Sequence, residues 1–251
     1  MSVFISGASS GIGEACARIF AAAKRDLVLI ARREDRLRQL SQELTQQFGI
    51  KVVTFTVDVR DRAKLEELSR THAEVWSEVD VLVNNAGLAK GRDVIQTGRP
   101  EDWDLMLDTN VKGLLNVTRL FIPQMISKKH GHIVNIGSVA GHWVYQKGNV
   151  YCASKHAVKA LSESLRYDLH GSGIRVTEVS PGMVKTEFGQ VRFEGDMEKA
   201  NAIYANKTPL TAQDIAETVL WCVQRPARVN IQEVVIFPTD QPGVHPTAPL
   251  V

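Results

Sequence analysis

Short runs dominated by Val, Ile, Leu and Phe recur along the chain at 3–6, 27–31, 52–57, 81–84, 132–136, 176–179 and 234–237. They lack the polar alternation of a half-exposed strand and suit strands covered on both faces. Between them, apolar residues fall at helical spacing over 14–23, 36–48 and 63–76. Strand and helix alternating in this way predict an α/β architecture, a doubly wound parallel sheet of about seven strands with helices on both faces. No shift in composition marks a second domain, so residues 1–251 are expected to form one unit. Two stretches break the rhythm. Residues 182–209 show no strand pattern and follow a late strand, which suits a lid over a substrate. The tail 238–251 carries Pro242, Pro246 and Pro249 and reads either as an extended arm or as a frayed terminus.

Composition narrows the function. At 251 residues and 44% hydrophobic, the chain can bury a sizeable core without metal or disulfide staples. Thirty basic against 28 acidic residues leave a formal charge of +2, which argues against nucleic acid as the main partner. No apolar run is long enough to span a bilayer, so no membrane partner is expected. The first residues lack a basic n-region and read as a strand, not a signal peptide. Cys16, Cys152 and Cys222 are far apart and show no metal-type spacing, which predicts reduced thiols and a cytoplasmic location.

The first strand runs into Gly7-Ala8-Ser9-Ser10-Gly11-Ile12-Gly13, which opens the first helix. Glycines there let the backbone approach a pyrophosphate, and a helix N-terminus offers free N–H groups and partial positive charge. The spacing is G-x-x-x-G-x-G, not the G-x-G-x-x-G of longer dehydrogenases, and its place at the first strand–helix junction favours a Rossmann-like dinucleotide site over a glycine-rich turn with no ligand. The second strand ends on Ala31 and is followed by Arg32 and Arg33, with no acid at the strand end to take a ribose 2′-hydroxyl. Two guanidinium forks favour a 2′-phosphate and hence NADP(H). The alternative is a solvated helix start, with Glu34 or Asp35 serving the ribose. Asp58-Val59, after the third strand, can meet the adenine, and Asn85-Ala86-Gly87, after the fourth, can pass close to a ribose.

Tyr151 and Lys155 are four apart in a stretch with helical spacing and so share one face. A phenol ionises near pH ~10, and bringing it to ~7 takes ~4 kcal/mol. A neighbouring ammonium is expected to supply part of that, making Tyr151 a proton donor and acceptor. Ser138 can hold the substrate oxygen, and the Asn110 side chain can anchor a water and continue a proton path from Lys155.

In this order, Gly7–Gly13, Asn84–Gly87, Asn110, Ser138, Tyr151-x-x-x-Lys155 and Pro181-Gly182 resemble the short-chain dehydrogenases/reductases over almost the whole chain. The one departure is Ser6, where the family usually has Thr. The resemblance implies that Tyr151 is the acid/base, that Lys155 is its activator and ribose clamp, and that Ser138 orients the substrate with Asn110 supporting the relay. It also brings Pro181, Gly182, Val184 and Thr186 to the cofactor, and implies a homotetramer. Ala31–Leu37, Gly148–Tyr151, Thr186-Glu187-Phe188, Val191-Arg192-Phe193 and Ile236–Thr239 are similar to the NADP-dependent 3-hydroxy acid dehydrogenases, with sulfoacetaldehyde reductases nearby. Both groups take small anionic substrates. Tyr145, Asn149 and Arg192 are the candidate substrate contacts, with Lys147 a second cation. Arg192 and Lys147 can equally be solvated loop charges. A third reading is a sensor that binds NADP without turnover.

Overall fold

The computed structural model describes residues 1–205 and 207–244. The strands are β1 (Ser2–Ser6), β2 (Asp26–Ala31), β3 (Val52–Thr56), β4 (Val79–Asn84), β5 (Gly131–Ile136), β6 (Ile174–Pro181), β7 (Val184–Lys185), β8 (Leu210–Thr211) and β9 (Glu233–Ile236). The helices are α1 (Gly11–Ala22), α2 (Glu34–Phe48), α3 (Arg62–Thr71), α4 (Ala73–Ser77), α5 (Pro100–Leu107), α6 (Leu114–Lys128), α7 (Asn149–Asp168), α8 (Phe188–Arg192), α9 (Met197–Ala202) and α10 (Ala212–Val223).

Seven strands form one parallel sheet in the order β3-β2-β1-β4-β5-β6-β9, and β7 pairs with β8 apart from it. After β3 the chain returns to the far side of β1 to form β4. The two halves diverge at this point, and a crevice opens beyond the strand ends. All seven apolar runs are strands of this sheet, with ends shifted by one or two residues.

The core lies on both faces of the sheet. Val3 and Ile5 of β1 pack with Cys16 and Phe20 of α1, Leu37 and Leu44 of α2, and Ile215 and Val219 of α10. Phe4, between them, points the other way, towards Trp76, Phe121 and Met125. Its ring lies 4.7 Å from Phe121, and Trp76 stacks on Phe121 at 4.9 Å. Burying each such ring contributes roughly 1.5–3 kcal/mol.

Three local expectations need correction. The helix expected over 63–76 breaks at His72 (φ −124°, ψ 39°) into α3 and α4. Leu65, Leu68, Val75 and Trp76 keep helical spacing through the break, so the pattern does not show it. Residues 182–209 hold β7, α8 and α9, which are too short for periodicity to register. The tail as far as residue 244 is not a free arm. The Gln241 side chain accepts from the Met183 N–H (2.8 Å), and Asp240 accepts from Thr208, so this stretch docks on its own chain. Pro246 and Pro249 lie outside the described residues.

Candidate active site

The glycine turn is shaped by what crowds it. Gly7 (φ +68°) and Gly11 (φ +56°) adopt left-handed backbone that other residues resist. A Cβ on Gly7 would sit 2.9 Å from the Ala86 Cα, and one on Gly13 would collide with the Gly7 carbonyl. Asn85 fastens the turn, its amide donating to the Ser6 and Gly7 carbonyls (3.0 and 3.1 Å). The Ser6 hydroxyl accepts from the Asn85 and Ala86 N–H groups, both at 3.1 Å. A hydroxyl suffices there, so Ser6 can stand for Thr.

Beyond the turn, Arg33 bridges three elements. Its guanidinium donates to the Ser9 and Ser10 hydroxyls (3.1 and 2.6 Å) and to Glu187 at the foot of α8 (2.8 Å). Arg36 donates to the same carboxylate at 2.6 Å. The hydrogen bonds from Arg33 and Arg36 hold Glu187 at about 2, against its burial. Arg32 is largely exposed, 3.9 Å from Asp58. Burial works to raise the Asp58 carboxyl, but hydrogen bonds from Arg60 outweigh it and hold the group below its ordinary value. Arg32 and Arg33 line the crevice, and Glu34 and Asp35 are not among its lining residues. The solvated-start alternative therefore lacks its ribose acid.

On the opposite wall, Tyr151 and Lys155 stand one turn apart on α7, both buried. The Gly141 Cα is held tight against this helix, since a Cβ there would lie 2.7 Å from the Lys155 carbonyl. The contact sets the Ser138 turn beside Tyr151. Burial pushes the Tyr151 phenol well above its ordinary value. Tyr145 adds to the rise, and the Ser138 hydroxyl and the Arg192 charge pull back. Burial brings the Lys155 ammonium down to about 8, opposed by Glu178. The Lys155 Nζ donates to the Ile136 carbonyl (2.8 Å). The acidic phenol expected from the sequence is therefore not produced by the fold alone, where desolvation outweighs charge.

Asn110 is not on a regular helix but in a π-helical turn, Asp108–Gly113. Its Oδ1 accepts from the Leu88 N–H (2.8 Å), and its Nδ2 donates to the Leu88 carbonyl (2.8 Å) and the Ser154 hydroxyl (3.0 Å). Both amide protons are committed to protein, so the side chain braces the loop after β4, which leaves one Oδ1 lone pair for the expected water.

A crevice of ≈ 330 Å³ brings together Gly7, the turn from Ser9 to Ile12, Arg32, Arg33, Asp58, Val59, Asn85, Ala86 and Gly87 with Ser138, Tyr151 and Lys155. Pro181, Gly182, Val184 and Thr186 close its end. Gly13, Asn110, Tyr145, Asn149 and Arg192 do not line it. Tyr145 accepts from Arg192 (3.0 Å), and the Asn149 amide donates to the Asp93 carbonyl (2.8 Å), with Asn149 on the wall of a smaller cavity beside Tyr151. Arg192 is buried, donates to the Gly91 carbonyl (3.0 Å), and holds its Cζ 5.7 Å from the Tyr151 ring centre. It lines a smaller cavity against Tyr151, together with the exposed Lys147. The solvated-loop reading therefore fails for Arg192 and fits Lys147.

Sequence reasoning missed Arg36, Glu187, Leu88, Thr109 and Phe188. Phe188 meets the Tyr151 ring edge-on at 5.6 Å. The run Thr186-Glu187-Phe188 was visible, but nothing local showed that its acid faces Arg33.

The geometry suits a dinucleotide, with a glycine cradle that a Cβ would fill, guanidinium groups at one end and a phenol at the other. The family described as short chain dehydrogenase matches residues 1–196. The NADP-dependent 3-hydroxy acid dehydrogenase YdfG of Salmonella typhi is 47% identical over 242 residues, 96% of each chain. Sulfoacetaldehyde reductase 2 of Chromohalobacter salexigens is 45% identical, covering 95% of this chain and 94% of its own. The closed form of a serine dehydrogenase complexed with NADP+ superposes with a TM-score of 0.92 at 42% identity, over 99% of each chain.

Proposed function

The chain belongs to the short-chain dehydrogenase family, and from that premise we propose that it is an NADP-dependent oxidoreductase of small anionic hydroxy acids and their carbonyl partners. One observation carries the reading. Arg33 and the glycine turn stand at one end of the same crevice that holds Ser138, Tyr151 and Lys155 at the other.

The turn from Gly7 to Ile12 and Asn85–Gly87 would hold the dinucleotide. Arg32 and Arg33 would take its 2′-phosphate, with Pro181, Gly182, Val184 and Thr186 at the nicotinamide end. When bound, the dinucleotide would give the hydride as NADPH in reduction and take it as NADP+ in oxidation. The protein moves the proton. Burial keeps Tyr151 protonated, which suits donation to a carbonyl oxygen during reduction. The Ser138 hydroxyl holds that oxygen, and Lys155 puts a positive charge behind the phenol. Asn110 acts as a positioning residue. In the oxidising direction Tyr151 takes the proton back, which demands the ionised phenol that the Lys155 and nicotinamide charges favour.

The three relatives are named for a 3-hydroxy acid, sulfoacetaldehyde and serine, each with an anionic end. Arg192 lies within a short molecule's reach of the phenol. With its Nε and Nη1 engaged, Nη2 is what it offers a carboxylate or sulfonate. Sulfoacetaldehyde reduction is the second reading, favoured by the 45% relative. We further propose a homotetramer, supported by the exposed apolar Leu107, Leu115 and edge-strand Val235. A cytoplasmic location is supported by three buried free thiols.

The test pairs Tyr151→Phe with a substrate panel. The variant should lose ~10²–10⁴-fold in turnover while keeping NADPH binding. Turnover near the wild-type rate would remove Tyr151 from the acid/base role. Rates on L-allo-threonine, serine, 3-hydroxypropionate and isethionate then choose the substrate. A sensor would bind NADPH and oxidise none of them.

A further inference from the structure

Behind the α7 wall lies a second set of ionisable groups that the chemistry above does not use. Glu178 of β6 and Glu233 of β9 are partners in register on adjacent parallel strands. His142 follows the Ser138 turn, and its Nε2 lies 2.6 Å from the Glu233 Oε1, with both atoms shut off from solvent. Ligand atoms of His142, Glu178 and Glu233 all lie within 4.8 Å of one another. Lys159, one turn beyond Lys155, brings its Nζ to 3.0 Å from the His142 Nδ1.

Two details decide what this cluster is. An ammonium has only donors, so the His142 Nδ1 accepts from Lys159 and the imidazole proton sits on Nε2, whose 2.6 Å approach to Glu233 is a close contact without hydrogen-bond alignment. No ring lone pair is left for a metal ion. Glu178 is 1% exposed, accepts from the Ser180 hydroxyl (2.8 Å), and lies against Gly137, where any Cβ would collide with its carboxyl oxygen. The carboxyl is thus tucked beneath the turn that carries Ser138, against Gly137, the residue after the Ile136 carbonyl to which the Lys155 Nζ donates.

We infer that Glu178 is the buried counter-charge that keeps Lys155 an ammonium, and that Glu233 and His142, steadied by Lys159, set how much charge Glu178 carries. Glu233, whose side chain is 29% exposed, sets a like charge beside the buried Glu178 and disfavours its ionised form. Burial first, then Glu233, push Glu178 towards its protonated form, while Ser180, Lys155 and His142 oppose them. Glu178 in turn opposes the desolvation that brings Lys155 down to about 8. The chain Glu233–Glu178–Lys155 therefore alternates in sign of effect. Removing the middle acid weakens the ammonium, and removing the outer acid strengthens it. Glu178 is a positioning residue in this arrangement, since it touches neither substrate nor dinucleotide.

The inference rests on the reading of Lys155 given above, and the experiment separates the two. The measurement is kcat against pH for carbonyl reduction by NADPH, using the fastest substrate of the panel. Loss of the Lys155 proton removes the charge behind the phenol, so its titration contributes an alkaline limb. Glu178→Gln should move that limb to lower pH by ~1 unit or more. Glu233→Gln should move it to higher pH. A merely structural role would lower kcat at every pH and leave both midpoints in place, and that result would overturn the inference. Should Glu178→Gln fail to fold, as judged by its melting curve, Glu233→Gln decides alone. An unmoved or lowered limb then counts against the inference. Lys155→Met serves as the control. Loss of turnover with unmoved limbs defeats only the counter-charge, whereas retained turnover defeats the role of Lys155 itself.

Discussion

His132 sits in β5 with its Nε2 2.8 Å from the Thr177 hydroxyl. That hydroxyl donates its own proton to the Ile231 carbonyl (2.6 Å), so the imidazole must donate through Nε2. Its Nδ1 is buried without a partner among the described residues, and burial brings the ring down to about 3. The unfolded chain takes the proton near 6.5 and the folded chain resists it, so stability is full above about 6.5 and falls as pH drops towards 3. Urea midpoints should fall across that window, and His132→Gln should flatten the fall. An equal slope in the variant would place the acid sensitivity elsewhere. Arg33 makes a separate prediction at this scale. Arg33→Glu should weaken NADPH far more than NADH, read by quenching of protein fluorescence, because only one of the two carries a 2′-phosphate. Equal losses would overturn the phosphate assignment. Arg33 was legible in the sequence because it follows a strand end. Glu187, its partner 154 positions away, was not.

Elements meet at two tight places. The first is α1 against the glycine turn, where a Cβ on Gly13 would collide with the Gly7 carbonyl and crowd the Asn85 amide. Gly13→Ala should destabilise by ~1–3 kcal/mol and loosen NADPH, visible in urea melts and titration. A neutral result would mean that α1 can shift without disturbing the turn. The second is the foot of α8 against α2, joined by Glu187 to Arg33 and Arg36. Both partners are over a third exposed, so such a pair is worth ~1 kcal/mol at most. Glu187→Gln frees Arg33 for phosphate and should tighten NADPH by at most about fivefold. Weaker binding would show instead that Glu187 serves to hold Arg33 in place. Helix spacing made α1 and α2 readable, whereas five-residue α8 leaves no period to read.

At the scale of the whole molecule, the proposed homotetramer predicts about four times the monomer mass by light scattering at micromolar concentration, and a monomer there would dismiss it. The chain's local patterns determined the seven strands, the two-sided burial of the five inner ones, the glycine turn and the Tyr151–Lys155 face, since each depends on residues within a turn or a strand of one another; that β3 and β9 lie at the edges and stay partly exposed was set by the sheet order. The tertiary structure alone decided which distant groups meet. Packing set Arg192 over Tyr151, turned Asn149 towards Asp93, spent the Asn110 amide on Leu88 and tucked Glu178 under Gly137. It also decided the direction in which the Tyr151 phenol moves. That sign is a contest between desolvation and charge, and desolvation is a property of the closed interior that no stretch of chain possesses before it folds.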